Sequence, residues 1–388
     1  MKKILVTGSS GFIGKNVVVT LRELNLYEII TIDKNNTEEE LDKAILDSDF
    51  IIHLAGINRP KDINEFYEGN SGLTEKIIRC IEKNNKKIPI LITSSIQANL
   101  DNDYGISKKQ SEKALIEYSN KNNINIYIFR LPNVFGKWCK PNYNSAVATF
   151  CYNIANGLDV WVNDPNIELN LVYIDDVVNS ILDCIKEFTN KNKAGNDKEK
   201  NFEQIDRYYY RVKKSYKRTL GSIVDSINMF KNMRNSLIIP DFSDSFNKVL
   251  YSTYLTYLKN DNFSYYLDKK EDKRGWLVEL VKSKQFGQMF VSKTYKGVTR
   301  GDHWHHTKTE KFTVIQGKAN IRFRKIDEDN IIEYIVDGEN PEVLDIPPGY
   351  THSIENIGEE EVITLFWANE MFDSNNPDTY FLEVKNDK

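Results

Sequence analysis

The strongest constraint on the fold is a change of pattern past the middle of the chain. Up to Arg130, short apolar runs such as Lys3–Thr7 and Phe50–Leu54 alternate with helical stretches such as Glu38–Leu46. This alternation is typical of the βαβ units of a doubly wound parallel sheet. After about Tyr265 the chain carries short β-rich runs separated by turn residues, as in an all-β sandwich or barrel. We therefore expect an α/β domain followed by an all-β domain.

This change of pattern predicts two domains, residues 1–245 and residues 246–388, with a boundary between Asp241 and Lys270. The chain has 388 residues, of which 40% are hydrophobic, so each domain can bury a core. The stretch Glu187–Glu203 is polar and rich in Lys and Asn, which indicates a surface insertion.

Charge and hydropathy exclude several classes of protein. The sequence has 52 Lys and Arg against 56 Asp and Glu, a net charge of −4, whereas nucleic-acid binding needs a basic surface. No apolar run approaches the roughly 18 residues that span a bilayer. Gly8 interrupts the apolar N-terminal stretch, so we expect a cytoplasmic protein without membrane insertion. The four cysteines are scattered, which argues against a disulfide framework and a zinc–thiolate site.

A glycine-rich turn directly follows the first predicted strand. Gly8, Gly11 and Gly14 form GxxGxxG and open a helix, so the backbone can approach a pyrophosphate at the helix N-terminus. The first βα turn is where a dinucleotide site belongs. At the end of the second strand, Asp33 favours the free ribose of NAD and Lys34 could pair with the 2′-phosphate of NADP. The residues by themselves leave both cofactors open.

A second set of polar residues indicates proton transfer at a carbonyl. Tyr104 and Lys108 form YxxxK, and at this spacing on a helix the phenol and the ammonium share a face. A nearby cation lowers the pKa of a phenol from about 10 toward neutrality. Just upstream, a predicted strand ends in Thr-Ser-Ser, and the hydroxyl of Ser94 or Ser95 could polarise a carbonyl beside the phenol.

Together, these motifs make about residues 1–240 resemble the extended short-chain dehydrogenase/reductase family. The resemblance extends to His53–Gly56 after the third strand, to Arg130–Gly136 and to Tyr173–Val177. It implies a Rossmann-like doubly wound sheet and a nicotinamide cofactor. Many members of this family act on nucleotide-diphosphate sugars, which makes a UDP-sugar an expected substrate.

The same resemblance implies a role for each polar residue: Ser95 polarises the substrate carbonyl, Tyr104 is the general acid, and Lys108 holds the ribose. Dehydratases that resemble this domain place an acidic residue directly after the catalytic hydroxyl. Here Ile96 and Gln97 follow it, and neither can act as a general acid or base, which favours carbonyl reduction. The implied cofactor contacts are Gly8, Gly11, Phe12, Ile13, Gly14, Asp33, Lys34, Leu54, Ala55 and Lys108, and the implied substrate contacts are Arg130, Asn133 and Tyr173.

Four of the five histidines lie in the last third of the chain. His303 and His305 form HxH, which on a strand puts both imidazoles on one face. Glu310 follows on the same or the next strand, and His352 comes later. Such a set suits a metal site with one or two open positions, which zinc, iron or manganese would accept. The run resembles both motifs of a cupin barrel, and this resemblance implies all four residues as ligands of a divalent metal.

A second resemblance, to the 4-keto-6-deoxysugar 3,5-epimerases, overlaps the first. It rests on Asp272–Glu279 and on Arg300–His303, and it implies that His303 is the base that removes a proton α to a ketone. His303 therefore has two competing roles, metal ligand or base. If it binds metal, His306 or a tyrosine such as Tyr295 becomes the candidate base.

Over nearly all 388 residues, the sequence is similar to the CapF (WbjC) family of bifunctional capsular polysaccharide enzymes. The runs that carry the resemblance include Phe135–Asn144, Tyr251–Leu255, Gly301–Lys308 and Asn375–Val384. The resemblance implies that the cupin domain epimerises C3 of a UDP-2-acetamido-2,6-dideoxy-4-hexulose and that the N-terminal domain reduces C4 with NADPH. The implied product is UDP-2-acetamido-2,6-dideoxy-L-talose, a precursor of N-acetyl-L-fucosamine. Zinc and a homodimer are implied as well.

Two alternatives stay open at this point. One is a one-step NAD(P)H-dependent reductase of a 4-keto sugar nucleotide, whose cupin is a non-catalytic dimerisation module. The other is a redox-sensing binding protein with a dinucleotide pocket. The set of Ser95, Tyr104 and Lys108 argues against the sensor, because a sensor has no need for a proton donor.

Overall fold

The computed structural model describes residues 1–189, 200–267, 270–272, 275–277, 281, 287–370 and 374–385. By its internal contacts the chain divides into two compact units. The first unit is Met1–Ser145 with Glu168–Arg218, and the second is Ala146–Ile167 with Thr219–Lys388. The proposed division at residue 245 stays a prediction, as does the surface insertion, since residues 190–199 lie outside the described part.

The first unit is built on strands that pair mainly in parallel. In chain order its strands are β1 (Lys2–Thr7), β2 (Tyr27–Ile32), β3 (Phe50–His53), β4 (Ile90–Ser95), β5 (Ile126–Leu131), β6 (Asn133–Phe135), β7 (Glu168–Tyr173), β8 (Phe202–Gln204), β9 (Tyr209–Val212) and β10 (Tyr216–Thr219). Seven of them form one sheet in the order β2-β1-β3-β4-β5-β9-β8, and β10-β7-β6 form a smaller one. The pairs from β2 to β9 are parallel, and only β8 runs antiparallel to its neighbour β9.

Helices connect these strands, and other helices belong to the second unit. The helices of the described residues are α1 (Phe12–Leu24), α2 (Glu38–Asp47), α3 (Asn64–Phe66), α4 (Leu73–Lys83), α5 (Asp103–Asn122), α6 (Ala146–Ala155), α7 (Ile174–Thr189), α8 (Leu220–Ser236) and α9 (Ser245–Leu255). A π-helix at Tyr67–Gly72 joins α3 to α4, and a 3₁₀ helix at Ile96–Asn99 follows β4. In the second unit, α6 packs against α8 and α9. No helix of the described residues has the length and apolar character needed to cross a membrane.

The strand order positions the first candidate site. Because β1 lies between β2 and β3, successive βα connections leave it in opposite directions, and the crevice at such a switch point is where α/β sheets bind ligands. β3 is buried along its whole length, as expected for a strand covered on both faces. The segment Asp33–Phe50 is short and contains only α2, so β2 stays at the sheet edge.

The second unit ends in antiparallel strands. They are β11 (Ser264–Tyr266), β12 (Lys270–Asp272), β13 (Gly275–Leu277), β14 (Gln288–Thr294), β15 (Thr299–Trp304), β16 (Glu310–Gln316), β17 (Lys318–Lys325), β18 (Ile331–Asp337), β19 (Glu342–Ile346), β20 (Tyr350–Asn356), β21 (Val362–Ala368) and β22 (Tyr380–Phe381). Two five-stranded sheets result, β11-β19-β16-β21-β14 and β18-β17-β20-β15-β22. The predicted fold class, a doubly wound parallel sheet followed by an all-β cupin-type domain, is thereby confirmed.

A buried group of charges ties α8 to the strands of the second unit. The carboxylate of Asp345 on β19 accepts a hydrogen bond from the Arg234 guanidinium at 2.6 Å, and the Lys311 ammonium on β16 pairs with its other oxygen. Lys311 also donates to the phenol of Tyr265 at 3.2 Å. Side-chain exposure is 1% for Asp345 and 6% for Lys311, so both charges depend on each other for stabilisation.

We predict that replacing Asp345 with Ala lowers the free energy of unfolding by about 3–5 kcal/mol, because two buried cations lose their carboxylate. The matched control is Glu333→Ala, whose 51% exposed carboxylate pairs with Arg322, and there we expect less than about 1 kcal/mol. Urea denaturation followed by circular dichroism measures both losses. Equal losses in the two variants would contradict the conclusion that Asp345 stabilises the buried cations Arg234 and Lys311.

Candidate active sites in the two units

The glycine-rich turn of the first unit is closed against the loop after β3. Gly8 has φ +67°, and a Cβ on it would lie 2.7 Å from the backbone nitrogen of Ala55. A Cβ on Gly14 would overlap the carbonyl oxygen of Gly8. Gly11 is the N-cap residue of α1 and provides no side-chain cap, so the first N–H groups of this helix are left for a ligand. The turn therefore fits the pyrophosphate of a dinucleotide.

A buried histidine holds the loop after β3 in place. His53 Nδ1 lies 2.8 Å from the hydroxyl oxygen of Thr7, and its Nε2 lies 3.0 Å from that of Thr74. The backbone nitrogen of Ala55 donates to Thr7 at 3.3 Å. Burial, helped by the charge of Lys108, lowers the pKa of His53 to about 3, so its imidazole is neutral. His53 is thus a structural residue that fixes the predicted cofactor contacts Leu54 and Ala55.

The other predicted cofactor residues lie around the same turn. Phe12 and Ile13 are the first, half-buried residues of α1. Beyond β2, the Asp33 carboxylate accepts a hydrogen bond from the backbone nitrogen of Asn35 at 2.9 Å, and Lys34 is exposed. Asp33 and Lys34 are both within the turn that follows β2, so the geometry favours neither NAD nor NADP.

The predicted proton-transfer residues come together at the end of β4. Tyr104 and Lys108 lie one turn apart on α5, which begins at Asp103. The hydroxyl of Ser95 lies close enough to the phenol of Tyr104 to lower its pKa. Ser94 instead donates at 2.5 Å to the buried carboxylate of Glu112. Of the two serines, Ser95 is therefore the one beside the phenol.

The electrostatics of this group differ in one respect from expectation. Burial raises the pKa of Tyr104, while the hydrogen bond with Ser95 opposes the rise, and Lys108 is not among the causes. Burial also lowers the pKa of Lys108 to about 8, and the charge of Glu112 opposes this shift. The ammonium donates to the carbonyl oxygen of Thr93 at 3.1 Å. The expected lowering of the Tyr104 pKa by Lys108 is thus wrong here, and a protonated phenol suits a general acid better than a base.

Sequence reasoning missed Glu112, whose carboxylate forms hydrogen bonds with several side chains near this group. Its side chain is 1% exposed and accepts hydrogen bonds from Arg130 at 2.6 and 2.9 Å and from the phenol of Tyr209 at 3.1 Å. Arg130, predicted to contact substrate, also donates to Asn99 at 2.7 Å and is committed to protein partners. The available signal was the position of Glu112 four residues after Lys108 on the same helix face.

The two remaining substrate residues lie in different surroundings. Asn133 is exposed on β6, where a ligand can reach it. Tyr173 ends β7 at 2% exposure, and its ring lies 5.5 Å from the ring of Phe135. Tyr173 therefore belongs to the core, and its proposed contact with substrate rests on sequence alone.

We predict that kcat/KM for reduction falls as pH rises through about 8, since Lys108 loses its proton there while the pKa of Tyr104 is raised. Replacing Glu112 with Gln removes the carboxylate that opposes the lowering of the Lys108 pKa, so the fall moves to lower pH. Glu117→Gln, which changes an exposed residue of the same helix, should leave the pH of this fall unchanged. Initial rates across pH test this, and an identical profile for both variants would contradict it.

In the second unit, the four predicted metal ligands meet between the two sheets. One ligand atom from each of His303, His305, Glu310 and His352 lies within 4.8 Å of the others. His303 on β15 is paired with His352 on β20, and Glu310 begins β16 in the other sheet. Nε2 of His305 and of His352 lie 3.5 and 3.7 Å from the same Glu310 oxygen.

The chemistry of this cluster fits a divalent metal. Burial lowers the pKa of His352, and burial together with the neighbouring histidines lowers that of His303 to about 3, so both imidazoles are neutral with lone pairs available. Within the part of the chain that the structure describes, His305 Nε2 and both ring nitrogens of His352 are buried without hydrogen-bond partners. Such orphaned acceptors are costly unless a ligand satisfies them. Three imidazoles and a carboxylate are the donor set of zinc, iron or manganese sites.

The candidate bases other than His303 lie outside this cluster. The His306 ring packs between Trp304, at a centroid distance of 4.5 Å, and Tyr380, at 5.0 Å. Tyr295 is 65% exposed and contacts Lys293. Arg274 and Glu279 of the epimerase-like motif fall outside the described residues.

Asp378 fixes the turn that carries the HxH histidines, and sequence reasoning did not single it out. Its carboxylate accepts hydrogen bonds from the backbone nitrogens of His306 at 2.9 Å, Thr307 at 2.9 Å and Lys308 at 2.6 Å. Its carbonyl oxygen lies 2.6 Å from Nδ1 of His305, which leaves Nε2 as the nitrogen that a metal would bind. Burial raises the pKa of Asp378, but these backbone donors and the charge of His305 leave it lowered.

We predict that Asp378→Ala weakens metal binding by about 10- to 100-fold, because the turn loses the anchor that orients His305. Competition with a chromophoric chelator measures the affinity independently of catalysis. The control is Asp337→Ala, which removes a carboxylate that likewise accepts two backbone N–H groups, in a turn remote from the histidines. Unchanged affinity in Asp378→Ala would show that His305 is positioned without it.

Comparison with known proteins matches both units. Residues 4–196 match the NAD dependent epimerase/dehydratase family, and residues 270–380 match the polysaccharide biosynthesis C-terminal domain. A UDP-2-acetamido-2,6-beta-L-arabino-hexul-4-ose reductase of Pseudomonas aeruginosa is 41% identical over 98% of this chain and 99% of its own length. The crystal structure of the capsular polysaccharide assembling protein CapF from Staphylococcus aureus shares 45% identity over 98% of this chain and 100% of that one, with a TM-score of 0.65.

Proposed function

Because this chain belongs to the CapF family over nearly its full length, we propose that it is a bifunctional nucleotide-sugar enzyme of capsular polysaccharide or O-antigen precursor synthesis. The cupin domain epimerises C3 of UDP-2-acetamido-2,6-dideoxy-4-hexulose. The N-terminal domain then reduces the C4 ketone with NADPH to UDP-2-acetamido-2,6-dideoxy-L-talose, on the way to UDP-N-acetyl-L-fucosamine. From the sequence resemblance we also infer zinc as the metal and a homodimer.

The observation that carries the proposal is the presence of two chemically different residue sets in one chain. In the first unit, Ser95 and a protonated Tyr104 face each other at the end of β4. In the second, His303, His305 and Glu310 belong to a buried donor cluster. A reductase needs a proton donor beside a ketone, whereas an epimerase needs a way to stabilise the anion formed next to that ketone.

For reduction, the residues of the first unit handle the oxygen of the ketone. When bound, the nicotinamide supplies the hydride that is added to C4. Ser95 polarises the carbonyl through a hydrogen bond, and Tyr104 transfers its proton to the oxygen, so that a ketone becomes an alcohol. The raised pKa of Tyr104 keeps this proton in place until substrate arrives. Lys108 lies buried one helical turn after Tyr104 and holds the cofactor ribose.

For epimerisation, the second unit must weaken a C–H bond next to the ketone. A bound divalent metal supplies Lewis acidity toward the carbonyl oxygen. His305, Glu310 and His352 would hold the metal, and the carbonyl of Asp378 orients His305 through Nδ1. His303 serves either as the fourth ligand or as the base, and its neutral imidazole at pH 7 suits both roles.

The environment of Ser95 supports reduction over dehydration. The 3₁₀ helix after Ser95 begins with Ile96, which is exposed, and the backbone nitrogen of Gln97 donates to the Ser95 hydroxyl oxygen at 3.1 Å. Neither side chain can take up or deliver a proton to eliminate water.

We predict that incubation of the enzyme with NADPH and the UDP-4-keto-6-deoxy-hexosamine in D₂O oxidises the nicotinamide and places deuterium at C3 of the product. Absorbance of the nicotinamide and proton NMR at C3 follow the two steps. Tyr104→Phe should abolish oxidation and leave the exchange at C3. Oxidation without deuterium at C3 would instead support the alternative, a one-step reductase with a non-catalytic cupin.

The variants His303→Ala and His305→Ala then separate the two roles of His303. Both should stop the exchange at C3, and His305→Ala should also lose metal. If His303→Ala keeps its metal, His303 is the base; if it loses metal as His305→Ala does, His303 is a ligand. Continued exchange in His305→Ala would exclude the cluster from epimerisation.

A further inference from the structure

One distinctive stretch of the sequence, Phe135–Asn144, has residues that the reaction described above does not use. Two of its residues have a left-handed backbone conformation: Trp138 has φ +68° and Asn142 has φ +53°. Lys137 is 1% exposed, and its ammonium is 2.5 Å from Asp175. The segment that follows Lys137 is therefore held in a defined conformation.

This segment brings two cations to one aromatic ring. The Lys140 ammonium lies 5.4 Å from the ring centroid of Tyr143, and the Arg59 guanidinium lies 5.8 Å from it. Cation–π attraction at these distances holds both side chains near the ring. Arg59 and Lys140 are exposed, and neither forms an ion pair with a carboxylate in the described part of the chain. Their charges are thus available to an anion.

The loop that carries Arg59 lies against the reductase residues: a Cβ on Gly56 would lie 3.4 Å from the Lys108 ammonium nitrogen. Tyr143 is close enough to Tyr104 for its phenol to raise the pKa of the Tyr104 phenol. The ring of Phe66 lies 5.6 Å from that of Tyr104. Arg59 belongs to the loop after β3, whereas Lys140 follows β6, so two separate loops deliver positive charge next to the reacting group.

We propose that Arg59 and Lys140 bind the diphosphate of the nucleotide sugar in the reductase site, and that Tyr143 positions both cations. This inference rests on the proposed function, because C4 and the anomeric carbon are at opposite ends of one pyranose ring. A substrate with its C4 ketone at Tyr104 and Ser95 carries its diphosphate one sugar ring away. Paired cations without a carboxylate partner are the groups that bind phosphate oxygens. The cofactor also carries a diphosphate, and its place is the glycine-rich turn at the start of α1.

The test measures KM for the UDP-4-keto sugar, KM for NADPH, and inhibition of NADPH oxidation by UDP. Arg59→Ala and Lys140→Ala should each raise the KM for the sugar nucleotide and the inhibition constant of UDP by about tenfold, the effect of losing one charge-assisted hydrogen bond. KM for NADPH should stay unchanged. Tyr143→Leu should raise the same two constants, while Tyr143→Phe, which keeps the ring, should not. The control is Lys113→Ala, an exposed lysine of α5 that pairs with Glu117.

Two results would overturn this inference. Unchanged UDP inhibition in Arg59→Ala and Lys140→Ala would exclude these cations from substrate binding. A rise in KM for NADPH alone would assign them to the cofactor instead. Direct calorimetry of UDP binding separates this inference from the proposed function, because it needs no turnover. If the unaltered enzyme fails to reduce the ketone but Arg59→Ala still weakens UDP binding, the diphosphate site stands and the proposed reaction is wrong.

Discussion

The Lys108 ammonium is buried, and its charge depends on a carboxylate one helical turn further along α5. Burial alone favours the neutral amine, and the pKa of about 8 is what remains after Glu112 opposes that effect. Glu112 is itself buried and needs donors, which Ser94 and Arg130 supply. Because Ser94 is held by Glu112, the next residue of β4, Ser95, is left to face Tyr104. Ser94 is thus engaged by Glu112, and Ser95 is the serine that faces the phenol.

The need of buried charged and polar groups for partners also applies to the second unit. Three histidines and one glutamate lie together, and two of the imidazoles have buried ring nitrogens that no described residue satisfies with a hydrogen bond. Elsewhere in this unit, the buried Lys311 and Arg234 share the carboxylate of Asp345. Satisfied buried charges maintain the fold, whereas unsatisfied acceptors gathered at one point indicate a ligand. The contrast between these two clusters is what distinguishes a structural network from a candidate metal centre.

The sequence predicts those functional residues that lie close together along the chain. YxxxK and HxH each place two side chains on one face of a regular element, so Tyr104 with Lys108 and His303 with His305 could be identified directly. The residues that position these side chains could not be identified in this way, since Asp378 lies more than seventy residues beyond the turn it anchors. The start of α5 is likewise hard to predict, because its first turn combines an Asn cap with Gly105, a weak helix former. Such long-range partners and caps are set by tertiary packing.

Under the proposed function, the two chemistries are linked through one carbonyl group. The C4 ketone makes the proton at C3 acidic, since the anion formed there is delocalised onto the oxygen. Inversion at C3 by itself changes little in free energy, so it approaches an equilibrium mixture. Reduction at C4 removes the ketone, and the hydrogen at C3 loses its acidity in the same step. A reductase in the same chain as an epimerase thus makes the new configuration permanent, and the protonated Tyr104 delivers the proton that completes this step. The raised pKa of Tyr104 and the neutral histidines of the second unit consequently serve successive stages of one conversion.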